Sequence, residues 1–247
     1  MGKEPLILLP GTLCDHRLWG HQVQHLADIA DISIGDITKD DTIKGMAKSI
    51  LANAPEKFAL AGLSLGGIVA MEVVHQAPER VTNLALLDSN PNGPKPEQIE
   101  AWEKFNVMVD EGRFSEITEK FLLPNLIHKN RLADKRLIAT ICDMAEKVGP
   151  EAYKRQLKAV ASRSDATDKL KRIQCPTLLL VGREDAVCPV EFHKQMSFLI
   201  PNSKLAVVED CGHLSSMEQP AIITLYLRQW LLEVNSFERQ GENEIEK

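Results

Sequence analysis

A serine framed by glycines in Gly62-Leu63-Ser64-Leu65-Gly66, an aspartate closing Gly182-Arg183-Glu184-Asp185 and a histidine in Gly212-His213 are the residues whose types and order could do chemistry in this chain. A hydroxyl is a poor nucleophile until a base takes its proton, and the base needs an acid to hold its ring. Serine, histidine and aspartate supply those three parts. Ser64 is the best placed of them. Phe58-Ala59-Leu60-Ala61 reads as a short buried strand and Leu65 to Gln76 as a helix, so the chain must reverse between them and present Ser64 at the apex. Gly62 and Gly66 have no Cβ to obstruct so tight a turn. The helix then aims its unpaired N–H groups and positive end at the place where negative charge would develop.

The base is found by position. His16, His21 and His25 fall in the first loop and helix, His75 at the far end of the helix after Ser64, His128 in a helical block and His193 on a helix. Only His213 follows a late strand and sits in a loop. The acid should precede it in chain order, and Asp185, directly after the preceding strand, is the natural choice. Glu184 would point elsewhere, and Asp210 is too near His213 in sequence to reach its far nitrogen. Asp88, also at the end of a strand, stays open as the competitor. Two backbone N–H donors must face the developing oxyanion. Leu65 supplies one; the loop Pro10-Gly11-Thr12-Leu13 supplies the other, from Thr12 or, failing that, Leu13.

The elements that must position these groups alternate. Strands are predicted at Leu6–Leu9, Ile32–Ile34, Phe58–Ala61, Leu84–Leu87, Thr177–Val181 and Leu205–Val208. Helices are predicted at Leu18–Ala27 (Trp19, Val23 and Leu26 on one face), Thr42–Ala54, Leu65–Gln76, Val190–Leu199 and Pro220–Leu232. Continuous apolar runs mark strands buried on both faces, and the alternation means a mostly parallel, doubly wound α/β sheet of about six strands. After the turn cluster Asn90-Pro91-Asn92-Gly93-Pro94-Lys95-Pro96, no strand is apparent up to Arg163; three or four amphipathic helices fill this stretch. The expected organisation is a core at 1–91 and 166–235, an inserted all-helical lid at 92–165 over the carboxyl ends of the strands, where such sheets bind ligands, and a frayed polar tail at 236–247.

Composition narrows the function classes. The chain has 247 residues, 44% hydrophobic and 26% charged, which suits one domain of the larger kind. A net charge of −6 argues against nucleic acid as a partner. The five cysteines form an odd, scattered set without a C-x-x-C pair, as expected of reduced thiols in the cytoplasm rather than of disulfides or a metal site. Neither a secretory signal nor a membrane-spanning stretch is expected.

Together these residues resemble the α/β-hydrolase superfamily from Leu6 to Leu232, and within it the lid-bearing group that includes carboxylesterases, enol-lactonases and the pimeloyl-carrier-protein methyl ester esterases. The features that carry the resemblance are Gly62-Leu63-Ser64-Leu65-Gly66-Gly67, Gly182-Arg183-Glu184-Asp185, and Gly212-His213 followed by Glu218 and Pro220. It implies a Ser-His-Asp triad, a covalent acyl-enzyme and no cofactor or metal. Pro10-Gly11 replaces the family's frequent His-Gly, and the two strands that commonly begin the sheet are missing. Ile68 stands where the menaquinone-pathway branch carries arginine. Ser64, rather than aspartate, disfavours haloalkane dehalogenase and epoxide hydrolase chemistry.

The reading is therefore a serine hydrolase of a carboxylic ester or thioester. The alternatives are C–C cleavage, lyase or perhydrolase chemistry on the same triad, or a ligand receptor that kept only the fold. Leu13, in the loop facing Ser64, is also a candidate substrate contact. The block is rich in bases at Lys129, Arg131, Lys135 and Arg136 and at Lys154, Arg155, Lys158 and Arg163. Solvated helix surface explains them; so would an anionic substrate or acyl carrier bound through residues such as Arg131 and Arg155. A fluorophosphonate probe should label the chain at Ser64 and leave Ser64→Ala unlabelled. Labelling that survives the substitution moves the nucleophile elsewhere.

Overall fold

In the computed structural model, residues 3–245 are described, with side chains from 3 to 233. The strands are β1 (Glu4–Leu9), β2 (Ala30–Ile34), β3 (Phe58–Leu63), β4 (Val81–Leu87), β5 (Thr177–Gly182) and β6 (Ser203–Val208). They form one sheet in the order β2-β1-β3-β4-β5-β6, every neighbouring pair parallel. All carboxyl ends therefore reach the same edge, and every loop that leaves a strand begins there.

Helices cover both faces because the inner strands β1, β3, β4 and β5 are apolar on both. Leu6 and Leu8, Ala59 and Ala61, Ala85 and Leu87, and Leu178 and Leu180 share one core with Leu18, Trp19 and Trp230. Their alternate neighbours Ile7, Leu9, Leu60, Leu84, Leu86 and Leu179 share the other with Met46, Val69 and Met196. The two-residue period of a strand accounts for this division. The first core receives helices α1 (Gly20–Leu26) and α8 (Pro220–Ile245); the second receives α2 (Ile43–Asn53), α3 (Leu65–Gln76) and α7 (Val190–Leu199). No helix among the described residues is long and apolar enough to cross a membrane.

Between β4 and β5 lies a helical insertion. Its longer members are α4 (Pro96–Asp110), α5 (Lys135–Val148) and α6 (Pro150–Ala161), with short turns joining α4 to α5. It has an apolar cluster of its own, built on Met108, Phe114, Ile117, Ala145, Tyr153 and Leu157, into which Leu13 of the loop after β1 inserts.

The structure departs from the sequence expectations in three places. All six strands are longer than predicted. β1, β2, β4 and β6 begin earlier, through residues such as Glu4, Asp31, Thr82, Asn83, Ser203 and Lys204 that interrupt the apolar runs marking a strand in sequence. β3 and β5 continue through Gly62-Leu63 and Gly182. The single helix expected at Leu18–Ala27 is instead a 3-10 turn, His16–Trp19, followed by α1. That break shifts the helical phase, so Val23 is exposed and Gln22 is buried, its amide donating to Ser216 O, Pro220 O and Thr224 Oγ1. The last helix runs past Leu232; the expected frayed tail at 236–247 lies outside the residues whose side chains are described.

β3 passes into α3 with no intervening loop, and a Cβ on Gly62 would lie against the Gly66 carbonyl. The opposing atoms are all backbone, of Gly66 and Gly67, and cannot yield as a side chain could. Gly62→Ala should therefore cost about 1–3 kcal/mol, as overpacking in a tight interior does. The check is a lower urea midpoint at an unchanged denaturant slope.

Candidate active site

Ser64 has φ 55° and ψ −116°, a left-handed conformation that an L-residue rarely adopts. Three bonds hold it there. Its N–H donates to Leu87 O (2.9 Å), and its carbonyl accepts from Ile68 N–H (3.1 Å) and from Ser89 Oγ (2.9 Å). The strain places the hydroxyl above the carboxyl edge of the sheet, facing the loops that leave β1, β5 and β6.

The loop after β6 brings His213 to it. His213 is buried, with Nε2 2.9 Å from Ser64 Oγ and Nδ1 2.8 Å from Asp185 Oδ2. Asp185 follows β5, and its other oxygen accepts from the Val187 and Cys188 N–H groups, each at 2.8 Å. An ionised carboxylate only accepts, so the proton of the neutral ring lies on Nδ1 and Nε2 is left to accept from the serine. Burial disfavours charge on both partners, yet each outweighs it for the other. Asp185 is held below the ordinary carboxylate range by the His213 charge, its hydrogen bond and the two backbone donors. His213 is held above 6.5 chiefly by Asp185, with help from Asp88 and Glu218.

Asp88, the competitor, is fully buried beside this pair but turned away from it. It accepts from Gly182 N–H (2.9 Å) and from Ser215 Oγ. Burial and repulsion from Asp185 push its carboxyl well above the usual range. Glu184 accepts from Cys211 N–H, away from the imidazole.

The remaining site residues lie where several elements meet. Thr12, Leu13, Ser64, Leu65 and His213 all line a cavity of about 410 Å³ enclosed between the sheet edge and the insertion. Leu65 is the first residue of α3, so its N–H has no acceptor within the helix. Leu13 is also left-handed, at φ 57°, and its N–H donates 3.1 Å to Gln156 Oε1 on α6. Of the two loop amides considered, Leu13 is thereby committed, whereas no such bond occupies Thr12 among the described residues. Gln156 is fully buried and ties the insertion to this loop; a lone glutamine on a helix gave no signal in sequence. A turn of π-helix, Ile117–Leu122, contributes Thr118, Phe121 and Leu122 to the cavity wall.

Arg131 and Arg155 do not line the cavity. Arg131 donates to Glu218 O and pairs with Asp134; Arg155 donates to Thr38 O. Lys154 and Lys158 pair with Asp110 and Asp41 on the outer surface. Of the basic residues named in this block, Arg163 is the one that reaches the cavity.

For a metal ion, the candidate donor set among the described residues is Asp185, Cys188 and His213, whose atoms lie within 4.8 Å of one another. They fit poorly. Asp185 and His213 are already bonded to each other, and burial pushes the Cys188 thiol far above its ordinary value, so it stays protonated.

The sequence pattern of the alpha/beta hydrolase family matches residues 6–223. Among curated relatives, the pimeloyl-[acyl-carrier protein] methyl ester esterase of Vibrio campbellii is 24% identical over 93% of this chain and 95% of its own. Among solved structures, a thermophilic esterase from Thermogutta terrifontis (malate bound) superposes with a TM-score of 0.86. It is 30% identical over 95% of this chain and 92% of its own. The enol-lactonase of Burkholderia xenovorans LB400 shares the fold, with a TM-score of 0.85 at 17% identity over 94% and 92% of the two chains.

The electrostatics of the site can be read without turnover. The His213 ring protons should titrate in NMR above pH 6.5. Asp185→Asn removes the largest influence that raises His213 and leaves its burial, so the midpoint should fall. Asp88→Asn should lower it less. An unmoved midpoint in Asp185→Asn would show that the pair is not coupled in solution.

Proposed function

Because this chain belongs to the alpha/beta hydrolase family and is a carboxylic ester hydrolase, like the esterases it matches, we propose that it cleaves its ester through Ser64, His213 and Asp185 by way of an acyl-enzyme. The observation that carries this reading is the unbroken line Ser64 Oγ–His213 Nε2–Asp185, with links of 2.9 and 2.8 Å, opening on the cavity.

Ser64 Oγ attacks the ester carbonyl while its proton passes to His213 Nε2. Asp185 keeps the ring in the tautomer that can receive it and stabilises the imidazolium that forms. The carbonyl oxygen becomes an oxyanion, facing the Thr12 and Leu65 N–H groups. Collapse of the tetrahedral adduct expels the alcohol or thiol, which takes the proton from Nε2. Water then repeats the sequence on the acyl-Ser64 and releases the acid. Every proton and bond in these steps is handled by groups of this chain and the substrate, so no cofactor or metal is invoked.

The insertion acts as a lid in this reading. It supplies most of the cavity wall, holds the oxyanion loop through Gln156 and accepts the His213 and Leu214 N–H groups at Leu126 O. Trp102, Phe105, Phe121, Ile141 and Leu157 give that wall an apolar body suited to a small ester or thioester. A carrier-borne substrate, as in the name of the Vibrio campbellii relative, finds less support, because Arg131 and Arg155 are engaged within the protein. Five free cysteines fit the reducing cytoplasm.

Asp185→Asn should lower kcat by about 10⁴-fold, the scale seen when a triad acid is neutralised, and Asp88→Asn far less. Hydrolysis in ¹⁸O-water should place one solvent oxygen in the acid product. The reverse ranking of the two variants would transfer the acid's role to Asp88, and an acid free of solvent oxygen would replace hydrolysis with another use of the site.

A further inference from the structure

Arg163 differs from the other basic residues of the insertion in where its charge goes. Its side chain lines the cavity that holds Ser64 and His213, beside Trp102 and Cys188, and also borders a smaller groove shared with Glu72 and Lys169. The guanidinium is fixed rather than free. Nε donates to Asn92 O (3.0 Å), Nη1 donates to Val160 O (2.9 Å), and Cζ lies 5.8 Å from the centre of the Trp102 ring. A guanidinium has five N–H donors, so with two taken, three remain without an acceptor among the described residues.

Among the described residues, no carboxylate pairs with this cation. Asp165, two residues away, accepts from Thr167 and Gly93 instead. The ionisable side chain that bears on Arg163 is Cys188, whose thiol burial keeps neutral. Partial burial lowers the Arg163 pKa from its ordinary value, as expected of a half-buried cation without a counter-ion beside it. Such a charge is costly to keep, and stacking on Trp102 offsets part of the cost. What the chain lacks here is an anion with planar, forked geometry, the shape guanidinium binds best.

We propose that Arg163 is an anion subsite and that the natural substrate is a small ester carrying a carboxylate within one cavity length of its scissile carbonyl. The inference rests on the Ser64 reading of the cavity and adds a substrate class to it. The carboxylate meets the Nη edge of Arg163, Trp102 covers the guanidinium face, and Gln98, one helical turn before Trp102 on α4, lies at the same end.

The test pairs charged and neutral esters of matched length: monomethyl glutarate with methyl pentanoate for a carboxylate on the acyl side, and 4-acetoxybutyrate with butyl acetate for one on the alcohol side. In at least one pair the charged ester should have the higher kcat/KM, and Arg163→Gln should reduce that preference about 10- to 100-fold, the range for a charge-assisted hydrogen bond. Arg163→Lys, which keeps the charge but not the fork, should fall between. Calorimetry separates this from the catalytic reading: Ser64→Ala should bind the preferred charged ester, and Ser64→Ala/Arg163→Gln should bind it about 10- to 100-fold more weakly. Equal kcat/KM within both wild-type pairs, an equal loss on charged and neutral esters, or binding indifferent to Arg163 would each overturn the subsite. A wild-type protein that cleaves none of the four esters yet binds the charged ones through Arg163 would overturn the Ser64 reading and leave the subsite standing.

Discussion

Everything at this site depends on one backbone constraint, the reversal at Ser64 from β3 directly into α3. A left-handed serine is uphill by itself, on the order of 1–3 kcal/mol, and persists because its surroundings fix it: Leu87 O and Ile68 N–H bind its backbone, Ser89 binds its carbonyl, and glycines leave room where a Cβ would strike main chain. The reversal also sets the directions of the groups around it. A parallel sheet sends all its carboxyl ends to one edge, so loops from β1, β4, β5 and β6 reach Ser64 without long excursions. Asp88 and Leu13 are left-handed too. The unusual backbone of this chain is thus concentrated where the loops converge.

Burial makes the charges around His213 unequal. Asp185 and Asp88 lie close enough to oppose each other, and both are shielded from water. Asp185 receives two backbone N–H groups and the imidazole, enough to remain ionised. Asp88 receives one backbone N–H and a serine hydroxyl and is driven toward its neutral form. The same chemistry, a few ångströms apart, gives one carboxylate that can orient a cation and one that secures the β5 turn at Gly182 to Ser215.

The insertion is bound to the core by polar links rather than by apolar packing alone. Glu218 accepts from Gly212 N–H on one oxygen (3.0 Å) and from His128 N–H on the other (2.6 Å), so one buried carboxylate joins the histidine loop to the insertion. Leu126 O receives the His213 and Leu214 amides, and Gln156 receives that of Leu13. These bonds reach the two loops that must hold still beside Ser64. Loosening the insertion would therefore loosen His213 and the loop after β1 with it.

What the sequence determined by itself was local. The strand, glycines, serine and helix of the elbow lie within a few residues of one another, so their geometry follows from residue type and period. The alternation of apolar runs and amphipathic segments defined the sheet and the interruption after β4 for the same reason. Distance in the chain is what it left open. Ser64 and His213 are 149 residues apart and His213 and Asp185 are 28, so which carboxylate meets the ring depends on how the loops close. The helical phase at Val23 departs from the apolar spacing because a 3-10 turn at His16–Trp19 resets it. Gln156 carried no signal, because a buried acceptor and a surface amide look alike until a loop amide is set against one of them. Arg131, Arg155 and Arg163 are equivalent as letters; all three bond to carbonyls within the protein, and packing set only Arg163 against the cavity. Tertiary structure decided these points because hydrogen bonds and counter-charges belong to neighbours in space, and neighbours in space are not spelled out along the chain.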